Sequence, residues 1–189
     1  MELQGERLIP ASVQTTWEAL NDADVLKACI AGCESLERTS PDTLVAVVAL
    51  KVGPVSARFK GNVAMTNVQA PNSYTINFDG QGGVAGFGKG AADVALQAQG
   101  AHTRLSYSAR ATVGGKMAQI GSRLIDAAAG KITEDFFKAF EAHVQASAEA
   151  APVAAAPAAV APGADRSVAK LAWLIAAVIA LAIVYFVIR

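Results

Sequence analysis

The chain has little to build metal or disulfide chemistry with. It carries two cysteines and two histidines in 189 residues. Cys29 and Cys33 are one helical turn apart in sequence, but His102 and His143 are remote from them, so a four-ligand zinc site is not expected. Two lone cysteines fit buried thiols in a reducing compartment. An excess of either charge is also missing, since Lys+Arg and Asp+Glu both number 16. Without a basic stripe, nucleic acid is not the expected partner. The opening MELQGERLIP places Glu2, Glu6 and Arg7 where a secretory signal would need a basic lead and an apolar core. No serine or cysteine lies in a nucleophile motif, and Asp79, Asp93 and Asp126 are scattered, so no catalytic constellation is visible and a non-enzyme is expected.

What the sequence does hold is a long apolar run at its end. From Leu171 to Ile188 every side chain is apolar, without Gly or Pro. As a helix this run is ~27 Å long, close to the ~30 Å hydrocarbon core of a bilayer. Only a helix satisfies its own backbone groups in lipid. Trp173 and Tyr185 sit near the two ends, where interfacial aromatics belong, and Arg166, Lys170 and Arg189 flank the run. Residues 170–189 are therefore expected to be a single-pass C-terminal transmembrane anchor, inserted late in synthesis. The positive-inside rule puts the N-terminal body in the cytoplasm, at the cytoplasmic membrane. Residues 146–169 read as a linker rich in Ala, Pro and Val. Pro152, Pro157 and Pro162 recur within it and oppose the helix that alanine alone would favour. At up to ~3 Å per residue such a spacer reaches on the order of 60 Å.

Residues 1–145 have the size of one domain with a sizeable core. Glu2 to Pro10 reads as an edge strand. Thr15 to Leu20 and Asp22 to Ala28 read as short helices, with Ser12 and Asp22 near their starts. The period then changes to two. Leu44 to Val52, Val55 to Thr66, Tyr74 to Asp79 and Arg104 to Val113 alternate in the manner of half-buried antiparallel strands. Gly53-Pro54, Pro71-Asn72 and the glycines from Gly80 to Gly90 mark turns. The domain closes on a helix in which Met117, Ile120, Leu124, Ala128, Ile132, Phe136, Phe140 and Val144 recur every three or four residues.

The pattern predicts an α+β fold: a strand, two short helices, about six antiparallel strands and one long amphipathic helix. A curved sheet gripping a helix leaves space between them. Small inward candidates (Ala57, Gly61, Ala109, Ala111, Ala128) favour a hollow interior. The expected lining is Leu50, Phe59, Val63, Met65, Ile76, Phe78, Phe87, Leu105, Tyr107, Met117, Ile120, Leu124 and Ala128.

One segment imitates a nucleotide site. Gly83 to Gly90 nearly spells a P-loop, with Lys89 at the lysine position. Gly90 stands where the magnesium-ligating Ser or Thr belongs, and antiparallel strands flank the segment where a P-loop needs a strand and then a helix. A loop over the cavity mouth or at a protein interface is expected instead, with Gly86, Phe87, Lys89 and Lys116 as partner contacts. Gly114-Gly115-Lys116 reads as a sharp turn into the long helix. Arg123 could face the mouth, though a solvated surface arginine explains it equally.

Five segments, in order, resemble the CoxG family, a group named for an accessory component of carbon monoxide dehydrogenase. They are LKACIAGCE at Leu26–Glu34, KVGPV at Lys51–Val55, FKG at Phe59–Gly61, GGVAGFGKG at Gly82–Gly90 and VGGKMAQIGSRL at Val113–Leu124. The resemblance covers residues 1–145, with one departure at Ala31, where the family commonly carries proline. It implies the helix-grip fold of the START-like (SRPBCC) superfamily and a cavity for a hydrophobic ligand. It also implies an accessory role: recruiting a cytoplasmic molybdenum hydroxylase of the carbon monoxide dehydrogenase type to the inner membrane. A bound isoprenoid quinone, ubiquinone or menaquinone, would couple that enzyme by electron transfer to the respiratory chain. The alternatives are a lipid-transfer domain or a small enzyme of the same fold, a fold-level analogy only.

Overall fold

The computed structural model describes residues 1–150, with side chains through Ser147. The expected linker beyond Ala150 and the expected anchor at 170–189 lie outside the described residues. Among the described residues no helix is long and apolar enough to cross a membrane.

The chain opens on β1 (Glu2–Ile9), then α1 (Val13–Leu20) and α2 (Ala23–Cys29). Six strands follow: β2 (Cys33–Ser40), β3 (Thr43–Val52), β4 (Val55–Gln69), β5 (Ser73–Gln81), β6 (Phe87–Gln99) and β7 (His102–Gly114). A short helix α3 (Lys116–Gln119) leads into the long α4 (Ser122–Ala150). The strands form one antiparallel sheet in the order β1-β7-β6-β5-β4-β3-β2. Each strand thus pairs with its chain neighbour, except that β1 closes onto β7, while α1 and α2 bridge to the far edge at β2.

The short helices start where their caps dictate. Ser12 Oγ accepts the Thr15 backbone N–H at 3.2 Å. Asp22 Oδ1 accepts those of Asp24 and Val25 at 2.8 and 3.1 Å. Each cap satisfies a donor that the first helical turn leaves without an intrahelical partner.

Two expectations need correction. The closing helix is not continuous. It breaks at Ile120-Gly121, where Gly121 takes φ +94°, and restarts at Ser122. The segment from Gly80 to Gly90 is not one loop. A single 3₁₀ turn at Gly83–Ala85 joins β5 to β6, so Phe87 and Lys89 are strand residues and Lys116 belongs to α3. Lys89 faces Asp79 across the β5–β6 ladder. Glycines lack the side chains that make strand alternation visible, which hid the first half of β6.

The contact between α4 and the sheet differs along the helix. Its C-terminal half brings Phe136, Phe137, Phe140 and Val144 against Ile9, Leu20, Leu96 and Leu105, and Phe140 is fully buried. Phe136 stacks on Phe140 at 5.8 Å, and Phe137 on Tyr107 at 5.3 Å. The N-terminal half presents Ala128, Ala129 and Gly130 instead. Large rings close one half of the helix–sheet interface, and small residues leave the other half open.

Candidate functional site

The open half is a chamber of about 480 Å³ between α4 and the concave face of the sheet. A second chamber of about 300 Å³ adjoins it toward the aromatic half. Leu3, Val63, Ala109 and Thr133 belong to both walls and form the neck between them. Each volume falls in the range of small-molecule sites, ~300 to 1,000 Å³.

Seven expected lining residues wall the outer chamber: Leu50, Phe59, Val63, Phe78, Phe87, Met117 and Ala128. Met65, Ile76, Leu105 and Tyr107 wall the inner one. Ile120 and Leu124 wall neither, which corrects the expectation. The break at Gly121 resets the helical register, so Ile125, Ala128, Ala129 and Ile132 face the chamber while Leu124 turns out and is 51% exposed. Continuing the periodicity of the chain through the glycine assigned the wrong face. Ile30, Ala31, Ala46 and Val48 also reach the wall. The alternation on β3 carried the signal for Ala46 and Val48.

The glycines serve the cavity wall. Side chains at Gly82, Gly90 and Gly114 would strike the rings of Phe59, Phe78 and Phe87 respectively. Gly5 likewise accommodates Tyr107. Phe78 and Gly90 are direct cross-strand partners, as are Phe87 and Gly114, and Tyr107 and Gly5. Rings lie across bare backbone on neighbouring strands, which leaves the space above them free. What reads as a phosphate loop is a set of seats for cavity aromatics.

Few polar groups reach the chambers. Thr133 sits at the neck, and Tyr74 and Tyr107 bring phenols to the inner wall. Asn62 and Asp79 touch the outer wall but are exposed and alternate with inward Val63 and Phe78. No acid–base pair converges inside, and among the described residues no group of His, Cys, Asp and Glu could hold a metal. Cys29 is buried and Cys33 half-buried, and both are free thiols. Burial raises both thiol pKa values, with Lys27 opposing the shift at Cys33. At the edge of the sheet, Arg7 pairs with Glu134 and lies over the Phe137 ring at 5.5 Å, tying β1 to α4 beside the neck.

Tyr74 packs edge-on against Trp17 at 5.2 Å, and burial holds its phenol well above the ordinary tyrosine range. The unfolded chain releases this proton near pH ~10, whereas the folded chain keeps it to higher pH. The folded state then binds more protons than the unfolded one, so stability is level below pH ~10 and falls above it. Urea titrations between pH ~9 and ~11 should show this fall, and Y74F should lessen it. Equal slopes for the two proteins would contradict a buried phenol.

Comparisons with known proteins follow the same outline. The family model for CoxG, described as a component of carbon monoxide dehydrogenase, matches residues 5–145. A conserved protein from Geobacillus kaustophilus is similar at 29% identity and TM-score 0.73, over 78% of this chain and 97% of its own. A START superfamily protein from Mycobacterium smegmatis shares 17% identity at TM-score 0.60, over 77% and 98%. An aromatase/cyclase from a Streptomyces species shares 12% at 0.57, over 80% and 98%. The last two likenesses concern the fold alone. A search of the curated proteins returns no match.

Proposed function

The chain belongs to the CoxG family of carbon monoxide dehydrogenase components, and from that premise we propose that it is a membrane-anchored accessory protein that holds a respiratory quinone for a molybdenum hydroxylase. The observation that carries this reading is the two-chambered apolar cavity with hydroxyls only at its neck and inner wall. An isoprenoid tail gains about 0.8 kcal/mol for each CH₂ it removes from water, and walls of Leu, Val, Ile and Phe supply that environment. A ring carbonyl needs hydrogen-bond donors, which the Tyr107 phenol and the Thr133 hydroxyl provide. Unlike an active site, the cavity offers no convergent acid–base pair, which favours holding a ligand over transforming it.

In this scheme the hydroxylase oxidises its substrate in the cytoplasm. The C-terminal apolar run keeps the domain at the cytoplasmic membrane, within reach of both that enzyme and the quinone pool. The partner is an enzyme of the carbon monoxide dehydrogenase type, and the ligand is ubiquinone or menaquinone.

Solvent extraction of the purified full chain, followed by mass analysis, tests this. Recovery of about one isoprenoid quinone per chain is the expected result. Phospholipid in the extract would turn the reading to lipid transfer. Empty protein that still co-purifies with a molybdenum hydroxylase would reduce it to a tether.

A further inference from the structure

The end of the domain at the outer chamber differs from the rest of the surface. Three turns meet there. Gly86 lies against Gly114 and Gly115, which joins the β5–β6 turn to the start of α3. Leu124 reaches to the side of Gly53, which joins the β3–β4 turn to the start of α4. At this junction Val84 is 85% exposed at the tip of its 3₁₀ turn, Leu124 is 51% exposed, and Phe87 is exposed while also lining the chamber.

Cations surround these side chains. Lys51 precedes the β3–β4 turn, Lys116 opens α3, and Arg123 lies in the first turn of α4; all are exposed. Among the described residues none of the three makes an ion pair. The acids nearby are largely answered: Glu34 pairs with Arg58, Asp79 faces Lys89, and only Asp126, in the second turn of α4, is left over. The chain as a whole is neutral, so this end is positive by local arrangement.

We propose that this end docks on an anionic lipid bilayer. Val84 and Leu124 enter the interface, while Lys51, Lys116 and Arg123 meet lipid phosphates. Protruding aliphatic side chains ringed by cations fit that occupant. A protein interface would be anchored by aromatics or arginines fitted into packed pockets, whereas Val84 touches little. Because Phe87 is both part of this end and part of the chamber wall, docking places the cavity against the lipid and lets an apolar ligand pass without crossing water. This holds for any lipid-soluble ligand, so it stands or falls separately from the quinone assignment.

The test uses the full chain with vesicles and an environment-sensitive maleimide label on V84C. The burial of Cys29 and Cys33 favours selective labelling of the exposed site. A101C, in the β6–β7 turn at the opposite end of the sheet, is the control. With phosphatidylglycerol present, nitroxide-bearing lipid should quench the label at 84 several-fold more than the label at 101. Vesicles of phosphatidylcholine alone should weaken that quenching. In the V84C background, K116E/R123E should weaken it at least ~10-fold, since each basic residue near an anionic surface is worth roughly fivefold. Equal access of aqueous iodide to both labels in all vesicles would overturn the proposal. So would protection at 84 that arises only when the hydroxylase is added, which would make this end a protein-docking surface.

Discussion

Replacing Gly86 with alanine should cost the domain ~3 kcal/mol or more of stability, a loss reserved for sites where backbone strain and collision coincide. Gly86 holds φ +112° and ψ −150°, a region essentially closed to residues with a side chain. A Cβ there would also run into the Gly114 carbonyl oxygen and crowd Gly115. Neither obstacle can move cheaply, because both are backbone of the strand end that feeds α3. The Gly86 carbonyl further accepts the Gly82 N–H at 2.8 Å, which closes the turn. Gly83→Ala is the matched control. It too has positive φ, +58°, but nothing lies within 4 Å of its added carbon, so about 1 kcal/mol is expected. Urea denaturation of the two full-length variants, followed by tryptophan fluorescence, makes the comparison. Equal midpoints would show that the β5–β6 turn has more slack than its packing indicates. A stiffening substitution at Gly86, such as proline, would break the turn and could not report on gating.

The second large effect concerns the cavity. Ala128 is half-buried on the face of α4 that walls the outer chamber. Ala128→Trp places an indole in that chamber, and Ala127→Trp puts the same ring on the exposed neighbouring face. A short-tailed ubiquinone analogue should bind A128W at least ~100-fold more weakly than the native chain, a loss of roughly 2.7 kcal/mol. A127W should bind normally. The domain should stay folded, because filling a void costs less than overpacking a closed core. If A128W melts well below A127W, Ala129→Phe is the gentler filling of the same wall. Unchanged binding in both filled variants, with the fold intact, would remove the outer chamber from ligand binding.

Legibility from the sequence followed the clarity of the side-chain pattern. β3, β4, β5 and β7 alternate cleanly, and the structure contains them. β2 did not stand out, because its residues CESLERTS are mostly polar and exposed at the sheet edge. β6 was obscured at its start by glycine. Seven of the expected lining residues reached the outer wall because a period of two assigns a face without knowledge of the partner strands. Ile120 and Leu124 failed for the converse reason: a helical period projected through Gly121 assumes a continuity that the backbone does not keep.

By itself the sequence determined the α+β order, the caps of the short helices and the apolar face of the sheet. It also carried the five segments that led to the CoxG family. These depend on local periodicity and residue chemistry, which are written along the chain. Tertiary structure alone decided that the glycines of β6 and β7 are seats for Phe78 and Phe87, rings that reach them from the neighbouring strand. It alone divided the cavity at Leu3, Val63, Ala109 and Thr133, which come from four separate elements. The gathering of Val84, Leu124 and three cations at one end is of the same kind. Juxtapositions between distant segments leave no period in the sequence, because they are set by strand register and by where a helix stops and restarts.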